Sequence, residues 1–276
     1  MLAECQNHLF MSEDIVKFFS MTIFRNKTSL IKRLNERFVL IVILASIVFN
    51  FVPTQIKSQS TTGFSGYFSI PSAVLSPDKS VNIGYNQLNK KYQEFYNGKY
   101  DMDVGFIDIG FLPIMEVGIR ITRPRGFKNP DSKTTWDRMI AARVLPIKET
   151  KYFPGIAIGF QNFFTTGDNG GASHFNSTYI VATKNFEIKH WFKNLGITLG
   201  YGSDFMEASD YQFIGFFGGI EITPGKLEFL QLILEYDAEN LNAGARLTLF
   251  KHLILLAGYE GLDAFSAGFS YRFYLP

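Results

Sequence analysis

Leu241-Asn242-Ala243-Gly244-Ala245-Arg246-Leu247-Thr248-Leu249 places Leu and Ala on its odd positions and Asn, Gly, Arg and Thr on its even ones. A β-strand sends successive side chains to opposite faces, so this alternation writes one apolar face and one small or polar face. Further along the chain, Phe265, Ala267, Phe269, Tyr271, Phe273 and Leu275 alternate with Ser266, Gly268, Ser270, Arg272 and Tyr274. Upstream the same period recurs in Val81–Asn86, Val117–Thr122, Ile156–Gln161, Leu195–Gly202 and Leu230–Asp237. About twelve such segments can be read: 81–89, 101–112, 115–123, 136–145, 154–163, 178–187, 195–203, 213–223, 228–237, 241–249, 253–260 and 264–274. Most have the length of roughly nine to eleven residues that a tilted strand needs to cross a bilayer. Turn chemistry separates many of them, as in Asn129-Pro130-Asp131, Gly167-Asp168-Asn169-Gly170-Gly171 and Thr223-Pro224-Gly225. After residue 60 no amphipathic helical pattern exceeds two turns. The expected fold is all-β, an up-and-down antiparallel barrel of about twelve strands spanning 81–276.

Period two alone does not say which face meets water. In a soluble barrel the apolar face points inward, whereas in a membrane barrel it meets lipid. Three features predict the membrane case. The non-apolar face is rich in Gly, Ser, Ala and Thr with isolated charges, unlike a densely charged wet surface. Aromatic residues gather near segment ends (Tyr85, Phe111, Trp136, Phe163, Phe164, Tyr201, Tyr236, Phe250, Tyr259, Tyr274), which suits interfacial girdles. A strand edge left open in lipid would strand backbone groups at several kcal/mol each, so the last strand is expected to pair with the first.

Composition agrees. The chain is 46% hydrophobic, 16% aromatic and 19% charged, against a charged share of about 25% in soluble domains. Formal charge is +2, so no polyanionic partner such as nucleic acid is indicated. Phe38–Val52 is an apolar run preceded by Arg25, Lys27, Lys32, Arg33 and Arg37, the pattern of a secretory signal peptide. Residues 1–60 are therefore expected to be an N-terminal extension and signal peptide that is removed, with Met11 or Met21 as alternative starts and an uncut signal anchor as the alternative fate. Cleavage would take away Cys5, the only cysteine, leaving no disulfide, thiolate metal site or lipidation site. Residues 61–80 are expected to form a segment that tucks into or under the barrel.

Ser266-Ala267-Gly268-Phe269-Ser270-Tyr271-Arg272-Phe273 resembles the C-terminal assembly signal of bacterial outer-membrane proteins, with Gly268, Tyr271 and Phe273 at its defining positions. The resemblance implies handling by the barrel-assembly machinery. Residues 62–202 carry a second likeness. Gly63-Phe64-Ser65-Gly66-Tyr67-Phe68-Ser69-Ile70-Pro71-Ser72-Ala73 is followed by Asp78-Lys79 and a strand through Gly84-Tyr85. Ala142-Arg143-Val144-Leu145-Pro146 precedes the run from Tyr152 to Gly167, and Tyr179–Lys184 and Leu195–Gly202 come next. In order and spacing these stretches resemble the YjbH-like proteins, outer-membrane barrels of bacterial exopolysaccharide and capsule loci. Asn162 stands where that pattern carries an acid, and the chain is shorter than typical members. The resemblance implies a Gram-negative outer-membrane protein linked to polysaccharide export or envelope assembly, with polysaccharide-export proteins as partners, no catalytic residue and no cofactor.

Two other functions are weighed. A small-solute channel would use the isolated charges as a lumen lining, and Asp108, Arg120, Arg143, Glu221, Glu235, Arg246 and Arg272 are the lumen-facing candidates. Their alternative role is to pair and close a narrow barrel, since uncompensated arginine in lipid costs roughly 2–4 kcal/mol at the midplane. A lipid-modifying enzyme would need a histidine beside a serine. His174, His190 and His252 all read as loop or turn residues. Asp168, Asp204, Glu207 and Asp210 are loop acids without EF-hand spacing, so no metal site is expected. Asp103 and Asp108 lie in one strand whose apolar phase switches from Met102, Val104 and Phe106 to Ile107, Ile109 and Phe111. A β-bulge near Phe106-Ile107 is expected there, with one acid facing the lumen next to an arginine.

Overall fold

The computed structural model describes residues 59–95, 98–128, 136–165, 176–188, 192–206 and 211–276. The N-terminal address falls outside these, apart from its last two residues. The described residues form a closed barrel of twelve antiparallel strands. In chain order they are β1 (Ser80–Leu88), β2 (Met102–Gly110), β3 (Met115–Pro124), β4 (Asp137–Ile147), β5 (Gly155–Thr165) and β6 (Ser177–Glu187). The circuit continues with β7 (Phe192–Ser203), β8 (Gly215–Pro224), β9 (Leu230–Tyr236), β10 (Leu241–Leu249), β11 (Leu253–Glu260) and β12 (Ala264–Tyr274). Each strand pairs with its sequence neighbours, and β12 closes on β1 from Ser80↔Tyr274 to Gln87↔Ala267. Closure leaves no edge with unpaired backbone groups. A one-turn 3-10 helix (Lys90–Tyr92) and a two-residue ribbon sit in the connection between β1 and β2.

The alternation decides what faces where, and the barrel is apolar outside. On β12, Phe265, Phe269, Tyr271 and Phe273 are exposed while Ser266, Ser270 and Arg272 are buried. Ile83, Ile107, Ile119, Ile158, Ile180, Leu232 and Leu234 form an aliphatic girdle on the outer face. Exposed aromatics border it at both ends. Trp136, Tyr201, Phe216, Tyr236, Tyr259 and Phe265 lie toward one end, and Phe111, Phe153, Phe192, Phe250, Phe273 and Tyr274 toward the other. The two ends differ in their connections. One carries the short links 111–114, 148–154, 188–191, 225–229 and 250–252, together with the start of β1 and the end of β12. The other carries 89–101, 125–136, 166–176 and 204–214 as well as two tight turns.

The expected bulge in β2 is absent. Its register against β1 runs unbroken from Leu88↔Met102 to Ser80↔Gly110, and against β3 it is equally regular. Met102, Val104, Phe106 and Asp108 all point inward, and Asp103, Ile107 and Ile109 do not. The apparent phase switch arose because the inner face of this strand is itself apolar over half its length. Register shifts occur instead where β4 meets β5, between Ile140 and Ala142 and between Val144 and Ile147, and where β8 meets β7, between Thr223 and Pro224.

Candidate functional site

The lumen is occupied by the chain's own segment 59–79. It contains no strand or helix, only two isolated bridges, Gln59↔Ser65 and Gly66↔Pro71, and a tight turn in which Tyr67 N donates to Ile70 O (2.9 Å). From Gln59 to Ala73 every residue is buried. Its contacts reach strands around the wall: Phe64 lies over Gly118 of β3, Phe68 over Gly244 and Gly258 of β10 and β11, and the Tyr67 hydroxyl against Gly196 of β7. A Cβ at Gly258 would come within 2.7 Å of the Phe68 ring, so the missing side chains make room for the segment. Gly63 adopts φ +89°, open to glycine at little cost, and packs against the Phe106 side chain.

An irregular backbone inside a closed wall poses a problem. Its N–H and C=O groups have no ladder to join and no bulk water, and each one left unpaired costs about 1–3 kcal/mol. The buried ionic side chains of the wall supply partners. Glu235 on β9 accepts from the backbone N–H groups of Phe68 (2.8 Å) and Ser69 (2.7 Å), and also from the Ser69 hydroxyl. Arg246 on β10 donates to the carbonyls of Gly66 (2.8 Å), Tyr67 (2.7 Å) and Gln59 (3.3 Å), and to Glu221 on β8 (2.5 Å). Arg143 on β4 donates to the carbonyls of Ser65 (2.5 Å) and Ser72 (3.1 Å), and to Glu116 on β3 (2.9 Å). Glu116 in turn accepts from Ser65 N (2.9 Å), Ser65 Oγ (2.7 Å) and Ser76 N (3.0 Å).

Asp108 on β2 accepts from Ser76 Oγ (2.8 Å), Asn82 Nδ2 (2.9 Å) and the Gln59 side chain. Arg272 on β12 donates to the Oδ1 of the same Asn82 (2.7 Å), so one amide links the lumen-facing acid to a guanidinium. Asp103, off the lumen, pairs with Arg125 at 2.6 Å. Arg120 on β3 is fully buried, donating to Thr62 O (3.4 Å) and lying 3.1 Å from the Met139 sulfur. Thr183 Oγ1 on β6 accepts from Ala73 N (2.8 Å).

All seven of these charges are thus buried, and five of them touch residues 59–76 directly. Two roles differ within that set. Glu221 is an ionic partner of Arg246, and Arg272 acts through Asn82. Glu116 was not selected, although Met115, Val117, Ile119 and Ile121 alternate with Glu116, Gly118, Arg120 and Thr122 and place it on the inner face. Asn82 and Asn242, also missed, carry polar amides whose value shows only once their lumen partners are seen.

Elsewhere the structure offers little chemistry. The His252 ring is joined to the Arg272 carbonyl (2.7 Å) and stacks on Tyr271, with no serine in its hydrogen bonds. His174 and His190 lie outside the described residues, as do Asp168, Glu207, Asp210 and the side chains of Phe163 and Phe164. Among the described residues no three metal-ligating side chains converge. Gly268 packs against Asn86 of β1, where any Cβ would strike the Asn86 Oδ1, and Tyr271 and Phe273 face outward.

The family model YjbH, described as exopolysaccharide biosynthesis protein YbjH, matches residues 58–272. The match takes in both the lumen segment and nearly all of the wall. No curated protein matches the chain.

Proposed function

The chain belongs to the exopolysaccharide biosynthesis protein YbjH family, and from that premise we propose that it is a Gram-negative outer-membrane barrel, closed by its own N-terminal segment, that assists exopolysaccharide export or envelope assembly without catalysing a reaction. One observation carries the membrane reading. A continuous aliphatic girdle, bordered at both ends by aromatic residues, covers the outside, while arginines and glutamates are shut within. Such a surface suits acyl chains, with rings at the two headgroup levels. All strands except β9 and β11 run 9–12 residues, enough to cross with a tilt. Barrels of this class place short turns on the periplasmic side and longer loops outside. The end holding Ser80 and Tyr274 then faces the periplasm, where the C-terminal strand with Gly268, Tyr271 and Phe273 would engage the assembly machinery.

The filled lumen favours a scaffold or docking role over a passive solute channel, because Phe68 and Ile70 are fully buried within the wall. Cell fractionation combined with gel mobility before and after boiling tests the assignment. A folded outer-membrane barrel co-fractionates with that membrane and shifts on boiling. Recovery in the soluble or inner-membrane fraction refutes it. Planar-bilayer recordings separate the two roles: the intact protein should give no steady conductance, and stable channels would restore the channel reading.

A further inference from the structure

At the end of the barrel that carries the long connections, a vestibule of about 200 Å³ opens above the lumen segment. Thr61 and Thr62 of that segment form its floor, and Tyr92, Gln93, Tyr211 and Gln212 stand in its wall. Gln93 is only 4% exposed. Its Nε2 donates to Glu260 Oε2 (3.2 Å), which turns its Oε1 away from that partner, and this oxygen has no hydrogen bond. The Oε1 of Gln212 is likewise buried and without a partner. Gln93 and Gln212 both line the vestibule, and buried polar atoms are nearly always satisfied. Both oxygens are acceptors, so an occupant that satisfies them must donate.

The charges narrow the choice. Carboxylates outnumber cations along the wall by four to three. Two of the cations are already engaged, Lys91 with Asp263 and Lys99 with Glu94 (3.3 Å). A polyanion would meet more repulsion than attraction there. Two half-exposed tyrosine rings, Tyr92 and Tyr211, add flat apolar faces beside the acceptors. Tyr92 is held in place by its hydroxyl, which donates to Asp263 (3.0 Å). Hydroxyl donors around a ring that also shows C–H faces match a sugar. Drug-sized sites measure roughly 300–1,000 Å³, so this volume suits about one residue of a chain at a time.

We propose that this vestibule is a binding site for a neutral, hydroxyl-rich saccharide unit, whose hydroxyls donate to Gln93 Oε1 and Gln212 Oε1 while its ring lies against tyrosine. The proposal rests on the reading that the long connections face the exterior of an outer-membrane barrel in exopolysaccharide assembly, and it names the ligand class of that barrel.

The test uses the full chain purified in a detergent without a sugar headgroup. Binding of maltohexaose and mannohexaose is measured by calorimetry and saturation-transfer NMR, with hexagalacturonate as the acidic comparison. At least one neutral hexasaccharide should bind, and the acidic one at least tenfold more weakly. The Gln93→Leu/Gln212→Leu variant should lose at least tenfold in affinity for the neutral probe while keeping its boiling-dependent gel shift. Should that variant not fold, Tyr92→Leu, on the exposed side of the wall, is expected to weaken binding to a similar degree. Absence of binding by both neutral probes, equal binding of the acidic one, or undiminished binding by a folded variant overturns the proposal. Fractionation away from the outer membrane overturns the reading beneath it instead. Failure to bind by a protein that fractionates and shifts correctly removes the saccharide site alone.

Discussion

Replacing Glu235 with alanine should loosen the lumen segment without opening the wall. The carboxylate holds the backbone N–H groups of Phe68 and Ser69 at 2.8 and 2.7 Å, in a place where neither has another acceptor among the hydrogen bonds of the described residues. Hydrogen bonds to a charged acceptor contribute roughly 1.5–3 kcal/mol each. Losing both therefore weakens docking by about 3–6 kcal/mol, and at about 1.4 kcal/mol per decade the undocked population rises roughly 10²- to 10⁴-fold. The Ser69 hydroxyl also loses Glu235 but keeps Asn242 Nδ2 at 3.2 Å. Glu235→Gln retains one carbonyl acceptor and should show about half the effect on a logarithmic scale. Amide hydrogen exchange reads this directly. Exchange at 67–70 should accelerate by that factor in Glu235→Ala, while amides of the β9–β10 ladder (Leu230↔Leu247 to Tyr236↔Leu241) keep their protection. Conductance in planar bilayers should appear in the variant as brief openings. Unchanged exchange at Phe68 and Ser69, in a protein that still shifts on boiling, would refute the claim that wall charges anchor the segment.

Three further outcomes follow from the same structure. Arg246→Met leaves Glu221 buried without its guanidinium and should cost about 3–5 kcal/mol, seen as a lower boiling-shift midpoint. Adding Glu221→Met should recover part of that loss, and no recovery would mean that the contacts to Gly66 and Tyr67 dominate. Gly258→Val pushes a side chain into the Phe68 ring and the Ala243 carbonyl, so a destabilisation of about 1–3 kcal/mol is expected, partly relieved by Phe68→Ala in the double variant. Ile119→Arg, at an outward position 51% exposed near the middle of β3, should cost roughly 2–4 kcal/mol in a lipid-facing wall. Refolding yield into vesicles measures it, and a neutral result would place that face in water.

The wall was legible in the sequence because each strand repeats one rule, apolar then small or polar, and local periodicity needs no knowledge of distant partners. Deviations came where that rule stopped being local. The strand read from 213 begins at Gly215, since Phe213 (φ 58°) adopts a left-handed backbone angle before it. In β2 a change of phase implies a bulge only on the assumption that the inner face is polar. Met102, Val104 and Phe106 violate that assumption, since the first two pack with Leu88 and Phe95 and the third against Gly63. The interior charges could be picked out one by one as polar residues on the minor face. Their purpose could not, since the atoms they serve belong to a segment without periodicity. Ser69 and Glu235 lie far apart in the chain, and nothing in Ser65-Gly66-Tyr67-Phe68-Ser69 announces which carboxylate will hold it.

The lumen segment precedes the first strand, yet two of its anchors sit near the other end of the polypeptide. Ser69 waits for Glu235, 166 positions later, and Gly66 for Arg246, 180 positions later. Contacts of such long range are entropically slow to form. Once β12 has sealed against β1, the irregular segment would have to be threaded through a finished cylinder. The workable order is the reverse: the early residues serve as a mandrel around which the sheet is wound, and the final hairpin locks them in. Closure of the wall is therefore expected to follow the seating of the mandrel.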